Sequence, residues 1–153
     1  MAPYENEEDF RMEPKDYVRK INVLGIRKLS KTKVRSCSDA KNLLKEVRNM
    51  QKGLRQIKKE INFEIKTIRL EYKEKSATAG TGSASFVRLL GKKGAARSMR
   101  ASAKRRVAQE RDRRIIPYEE LKMKIDDMIL KMDQLKLQLE QYTQKEKEKV
   151  IKV

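Results

Sequence analysis

The chain has 153 residues, of which 40% are charged and 5% aromatic, with no Trp and a mean hydropathy of -0.84. This composition argues against a thick globular core and is typical of an extended helical or coiled-coil protein. The formal net charge of +17 indicates a polyanionic partner, such as nucleic acid, an anionic membrane or an acidic protein surface.

The residue inventory also narrows the chemistry. There is no His and a single cysteine, Cys37, which removes His-based acid–base catalysis, the usual zinc ligand sets and an intrachain disulfide. No run approaches the roughly 20 apolar residues that a membrane span needs, and the acidic N-terminus does not resemble a signal peptide. We therefore expect a soluble, cytoplasmic protein that is not an enzyme and takes no cofactor, metal or small-molecule substrate.

The first 38 residues consist of an acidic segment followed by a basic one. Residues 1–14 carry a net charge of -4 and two prolines, which is typical of a disordered acidic tail. Residues 15–38 carry +7 and are predicted to form a basic linker or a short helix. A long helix is then expected to start with either Ser38 as its N-cap or a capping box between Ser36 and Asp39.

Residues 39–75 are predicted to form a helix, because apolar residues recur at steps of three and four without a proline. These seam residues are Ala40, Leu43, Val47, Met50, Leu54, Ile57, Ile61, Ile65, Ile68 and Tyr72. One position further round the helix, cations form a second row at Lys41, Lys45, Arg48, Lys52, Arg55, Lys59, Lys66, Arg69 and Lys73. The helix therefore presents a packing face and a cationic face side by side.

Residues 76–94 are predicted to be a flexible loop, since 76–85 are small and uncharged. The loop glycines do not form a phosphate-binding loop, because Gly-x-x-x-x-Gly-Lys-Ser/Thr is absent from the sequence. A small apolar cluster follows, formed by Phe86, Val87, Leu89 and Leu90. Its insertion at an anionic membrane surface, with the following Arg and Lys neutralising headgroups, stays open as an alternative.

A second helix is predicted over 95–145, interrupted or kinked near Pro117, with a charged tail at 146–153. After the proline its seam follows an unbroken heptad at Tyr118, Leu121, Ile125, Met128, Met132, Leu135, Leu139 and Tyr142. The predicted fold is therefore all-α: residues 39–145 form a long antiparallel coiled-coil hairpin with a basic tip, preceded by the disordered acidic N-terminus. Matching the places where both seams step by four residues puts Ile61 opposite Val107, so that paired numbers add to 168.

Two apolar sets in the C-terminal half lack a partner in that register. One continues the seam past the start of the first helix, at Met132, Leu135, Leu139 and Tyr142. The other repeats every seven residues on the outward side, at Met123, Leu130 and Leu137. The acids beside it are interpreted as solvated charges rather than a metal site. The two sets are covered either by the 15–38 segment or by a protein partner or second copy of the chain.

Basic residues dominate 88–114, where eleven of them meet two acids. Cations that only solvate a coiled coil are normally balanced, as in 115–153, which has eight basic and eight acidic residues. The residues expected to contact phosphate are Arg88, Lys92, Lys93, Arg97, Arg100, Lys104, Arg105, Arg106, Arg111, Arg113 and Arg114, together with Lys52, Arg55, Lys59, Lys66, Arg69 and Lys73. The sequence predicts a non-catalytic protein that binds RNA or DNA; the alternative is a scaffold or adaptor for acidic proteins or an anionic membrane surface.

Overall fold

The computed structural model describes residues 11–82, 89, 91 and 93–152, and within these ranges the regular structure is helical with no strand. The helices are α1 (Pro14–Val23), α2 (Cys37–Thr78) and α3 (Lys93–Ile151), with a short 3-10 helix over Ile26–Lys31. The all-α prediction is confirmed, and the two long helices pack together. Most of the predicted acidic tail and of the apolar cluster at 86–90 lies outside the described residues.

The 15–38 segment is largely helical. Pro14 occupies the first turn of α1, where its missing N–H costs nothing, and the Glu13 N–H donates to the Asp16 carboxylate at 3.0 Å. Gly25 then adopts a left-handed φ of 73°, which ends α1 and turns the chain into the 3-10 helix.

The start of α2 follows one of the two predicted alternatives. The Asp39 N–H donates to Ser36 Oγ at 3.1 Å, and the Ser36 N–H donates back to Asp39 Oδ2 at 3.2 Å. This reciprocal pair is a capping box, which satisfies two backbone donors that the first helical turn leaves without partners.

The chain divides into two compact units, Met1–Ile61 with Leu121–Val153 and Asn62–Glu120. In the first unit α2 and α3 run antiparallel, since Arg48 pairs with Glu140 and Lys58 with Asp126. The buried core consists of Tyr17, Ile21, Ala40, Leu43, Val47, Leu54, Ile57, Ile61, Leu121, Ile125, Met132 and Leu139. The α2 seam predicted from periodicity is therefore confirmed here, apart from Met50, which is only half-buried.

The α1 helix belongs to the core of the first unit. Lys20 Nζ lies 2.6 Å from a Glu60 carboxylate oxygen on α2. A Cβ at Gly53 would lie 2.7 Å from a Leu24 methyl group, so glycine leaves room for Leu24 to approach α2. The 15–38 segment therefore packs on α2 within this unit.

In the second unit α2 and α3 also run antiparallel, since Arg69 contacts Glu119 and Tyr72 contacts Glu110. Its buried apolar residues are Ile65, Ile68, Tyr72, Ala96, Ile115 and Tyr118. Gly80 has a left-handed φ of 69°, and a Cβ there would lie 3.1 Å from the Ala103 Cβ. Glycine thus lets the chain turn after α2 and pass close to α3.

The predicted helix register is wrong. Partners in the first unit have residue numbers that add to between 180 and 188, with 184 for Gln51–Asp133 and Lys58–Asp126, rather than to 168. At a sum of 184, the partner of an α2 residue lies 16 positions further along α3 than predicted, which is about 24 Å at 1.5 Å per residue. Matching the four-residue steps took no account of polar contacts such as those of the buried Gln51 side-chain amide, which donates hydrogen bonds to Asp133 and to the Ile129 carbonyl.

The α3 helix is continuous through Pro117. The sequence predicted an interruption or kink at this point, because proline removes a backbone donor and crowds the carbonyl four residues earlier. Ile115 and Tyr118 are buried on either side of the proline. The helix is thus anchored in the core of the second unit immediately before and after the proline.

Candidate nucleic-acid interface

A groove of about 340 Å³ lies between α2 and α3 in the second unit. Four of the predicted cations line it: Arg69 and Lys73 from α2, and Lys104 and Arg111 from α3. The rest of the lining is neutral and consists of Tyr72, Ser76, Ala77, Val107 and Ala108. The groove therefore collects four positive charges without an acidic side chain in its lining.

The four cations differ in how far they are already neutralised. Arg69 lies 3.5 Å from Glu119, and Arg111 lies 2.8 Å from its neighbour Asp112. Lys73 and Lys104 are exposed and have no ion pair within the described part of the chain. The two lysines are thus the groove charges most available to a bound anion.

Tyr72, the aromatic residue of the groove, is not arranged for base stacking. Its side chain is buried, and its hydroxyl donates to Glu110 Oε1 at 3.0 Å. The Lys75 ammonium lies over the ring, 4.6 Å from its centroid. With the ring covered, the groove offers charge and hydrogen-bond donors rather than a π surface.

A smaller depression of about 180 Å³ lies along α3, lined by Lys93, Ala96, Arg97 and Arg100. The Arg100 Nε is buried and has no hydrogen-bond partner in the described ranges. Buried donors are normally satisfied, so this Nε is an exception. Arg106 lies elsewhere, in an otherwise neutral hollow with Gly80 and Met99.

The remaining predicted phosphate contacts are not brought into these depressions. Lys66, Arg105 and Arg113 are exposed on the second unit, and Arg114 lies 3.4 Å from Glu71. Lys52, Arg55 and Lys59 are exposed residues of the first unit. Arg88 and Lys92 lie outside the described residues.

The acids of α3 were interpreted from sequence as solvated charges, and three of them instead contact α2. Asp126 pairs with Lys58, and Glu140 lies 3.6 Å from Arg48. Asp133 Oδ1 accepts hydrogen bonds from Gln51 at 2.8 Å and from Lys136 at 3.3 Å. These bonds, chiefly the one from Gln51, lower the pKa of Asp133 below its ordinary value of 3.8. Their seven-residue spacing beside the seam was the sequence signal for this role.

The predicted partner residues divide into two groups. Met132 and Leu139 are buried in the first unit, and Leu135 and Tyr142 are half-buried. The shifted register supplies the N-terminal half of α2 as their cover, so these seam positions need no second chain. The outward set is different: Met123, Leu130 and Leu137 are all exposed.

Comparisons with protein-family models, with curated proteins and with solved structures find no match to this chain. Among the described residues, no helix is both long and apolar enough to cross a membrane. The same residues contain no group of three or more Cys, Asp or Glu side chains placed to hold a metal ion.

Proposed function

We propose that this chain is a non-catalytic nucleic-acid-binding protein that contacts phosphates through the basic side chains of its second unit. The observation that carries the proposal is the cationic groove, in which Arg69, Lys73, Lys104 and Arg111 converge without an acidic side chain in the lining. Phosphate is the chemical group that suits such a site, because Lys offers a point charge and Arg a bidentate donor pair.

The proposed mode of binding is independent of base sequence. Lys and Arg that neutralise phosphates release condensed counterions, which gives affinity that falls steeply with salt. Base reading would need donors and acceptors placed against base edges, or free aromatic faces. The Tyr72 ring is covered and does not offer a free aromatic face. We therefore expect contacts to the phosphates of the nucleic acid to dominate.

The proposal extends to the architecture. We propose that α2 and α3 form one antiparallel coiled-coil hairpin and that its loop end is the basic tip, to which Arg88 and Lys92 add their charge. Nine basic and four acidic residues occupy the α3 part of the second unit, 93–120, which supports this view.

The test is a titration of purified, nuclease-treated chain against duplex DNA, structured RNA and anionic liposomes, each at low and high salt. We expect salt-sensitive binding to a nucleic acid and none to liposomes. Binding to liposomes alone would favour the membrane alternative. An absence of nucleic-acid binding at low salt would refute the proposal.

A matched pair of variants tests the site itself. Lys73→Gln with Lys104→Gln removes the two unpaired groove charges, and Lys145→Gln with Lys147→Gln removes two exposed charges near the end of α3. Loss of two phosphate contacts should reduce the slope of log K against log salt by about 1.8 for duplex DNA. The control pair should leave the slope near that of the unmodified chain. Equal slopes for both variants would show that the groove lysines do not contact the nucleic acid.

The scaffold alternative rests on a different observation, the exposed seven-residue row of Met123, Leu130 and Leu137 on α3. Exposed apolar rows of this kind mark protein contacts more often than nucleic-acid contacts. A chain that binds none of the three ligands but associates through this row would be a scaffold.

A further inference from the structure

Within the part of the chain that the structure describes, exposed apolar side chains recur at seven-residue spacing on both α2 and α3. The first row, on α3 in the first unit, consists of Met123, Leu130 and Leu137, which are 71%, 58% and 57% exposed. The second, on α2 in the second unit, consists of Phe63 and Leu70, which are 68% and 53% exposed. Single exposed apolar residues are ordinary, but rows at strict seven-residue spacing match the repeat of a coiled-coil seam.

The charges beside the two rows have opposite sign at the same offset. Three residues after each α3 apolar position stands an acid, at Asp126, Asp133 and Glu140. Three residues after each α2 apolar position stands a lysine, at Lys66 and Lys73. We call the α3 set the acidic-edged row and the α2 set the basic-edged row. Positions three apart on a helix lie on one face, so each apolar row has a charged edge.

We propose that the basic-edged row of one molecule docks in parallel on the acidic-edged row of a second copy of this chain. Parallel packing puts apolar residues opposite apolar residues and places Lys66 and Lys73 beside acids of the other copy. An antiparallel arrangement would instead set apolar residues against charges.

Pairing either row with its own copy is less favourable. Two acidic-edged rows in parallel would bring Asp126 and Asp133 of both molecules together, and two basic-edged rows would do the same with their lysines, so like charges would repel. The acids keep capacity for a partner although they already contact α2. Asp126 and Asp133 are 54% and 48% exposed, and a carboxylate has several acceptor sites.

Such a contact is head-to-tail, because two different surfaces meet. It leaves one row of each kind free in a dimer, so the mass should keep rising with concentration unless a ring closes. With only two apolar layers the contact is small, and we expect it to be weak and reversible.

The test is sedimentation of the full chain over a wide range of concentration, with Leu130→Glu and Leu70→Glu as variants. Each variant places a charge in one row and leaves the other row intact. Both positions are exposed, so helicity measured by circular dichroism should not change. Val150→Glu, at an exposed α3 position that does not share the seven-residue phase of the acidic-edged row, is the control. We expect the unmodified chain and the control to self-associate, and each variant alone to be monomeric.

Mixing the variants decides between this contact and a symmetric one. Leu130→Glu retains the basic-edged row and Leu70→Glu retains the acidic-edged row, so an equimolar mixture should recover a dimer and stop there. A monomeric unmodified chain, self-association that survives Leu70→Glu, or a mixture that stays monomeric would each overturn the proposal. The lysines are unchanged in these variants, because Lys73 also lines the cationic groove and its loss would disturb nucleic-acid binding.

Discussion

The two units are built from the same pair of long helices, and both contain polar contacts between them, but the second unit also has a groove lined by unbalanced cations. In the first unit, acids of α3 at seven-residue spacing contact α2, as in Asp126–Lys58 and Glu140–Arg48. In the second unit, Lys104 of α3 faces Lys73 of α2 across a groove without acidic lining. Charge is segregated along α3, so the same antiparallel packing yields a neutralised seam in one unit and a cationic groove in the other.

The backbone of the second unit carries a defect with no counterpart in the α3 segment of the first. Pro117→Ala restores a helical N–H, and we expect it to raise the free energy of unfolding by up to about 3 kcal/mol. Urea denaturation monitored by circular dichroism measures the change. Lys124→Ala, one heptad later at an exposed position of the first unit, is the control and should change stability by less than about 0.5 kcal/mol. Equal effects would mean that the proline is tolerated without cost.

The first unit depends on a buried polar contact for its register. Gln51 is 1% exposed. Its side-chain amide donates hydrogen bonds to Asp133 and to the Ile129 carbonyl, and it accepts one from Lys136. Gln51→Ala should lower the free energy of unfolding by about 1–3 kcal/mol, since it removes hydrogen bonds to the charged groups of Asp133 and Lys136 and truncates a buried side chain. Gln134→Ala, at an exposed position of α3, should have almost no effect in the same urea titration. A Gln51 variant as stable as the unmodified chain would show that packing alone sets the register.

Periodicity was enough to find the helices and most of their buried faces, because a 3.6-residue repeat records which side of a helix avoids water. It was not enough for the register. Seam residues such as Ile61 and Ile65 are nearly interchangeable, so apolar pattern alone permits several alignments. The residue with specific requirements is Gln51, whose amide needs hydrogen-bond partners. Its place beside the seam residue Met50 did not reveal that it would be buried.

The groove could be predicted only in part. The excess of basic residues in 88–114 pointed to the stretch of α3 that supplies Lys104 and Arg111 to the groove, since composition records net charge. Which of those cations meet cations of α2 depends on the register, so the convergence of Lys73 with Lys104 could not be foreseen. The covering of Tyr72 by Lys75 and its bond to Glu110 likewise required the structure.

The pH response of the first unit follows from Asp133. Its pKa is lowered in the folded chain by hydrogen bonds from Gln51 and Lys136, so its contribution to stability is complete above its ordinary pKa of 3.8 and is lost as the pH falls through the folded value. The difference in unfolding free energy between the unmodified chain and Asp133→Asn should therefore stay constant from neutral pH to about pH 5 and shrink below about pH 4. Asp127→Asn, with no hydrogen bond in the described ranges, is the control. If the difference in unfolding free energy grows as the pH falls, the hydrogen bonds to ionised Asp133 do not stabilise the folded chain.

The smallest expected effects come from removing one exposed charge in each unit, and they should have opposite signs. Arg48→Gln removes a half-exposed ion pair of the first unit and should lower stability by no more than about 0.5 kcal/mol, whereas Lys104→Gln relieves repulsion in the groove and should raise stability by about 0.2–0.5 kcal/mol. Both changes should fade at high salt, because exposed charges are screened. Urea titrations at low and high salt measure them. If Lys104→Gln also weakens phosphate binding, then the same charge opposes folding and favours the ligand, which is the pattern of a functional residue. A loss of stability on replacing Lys104 would instead assign that lysine a structural role.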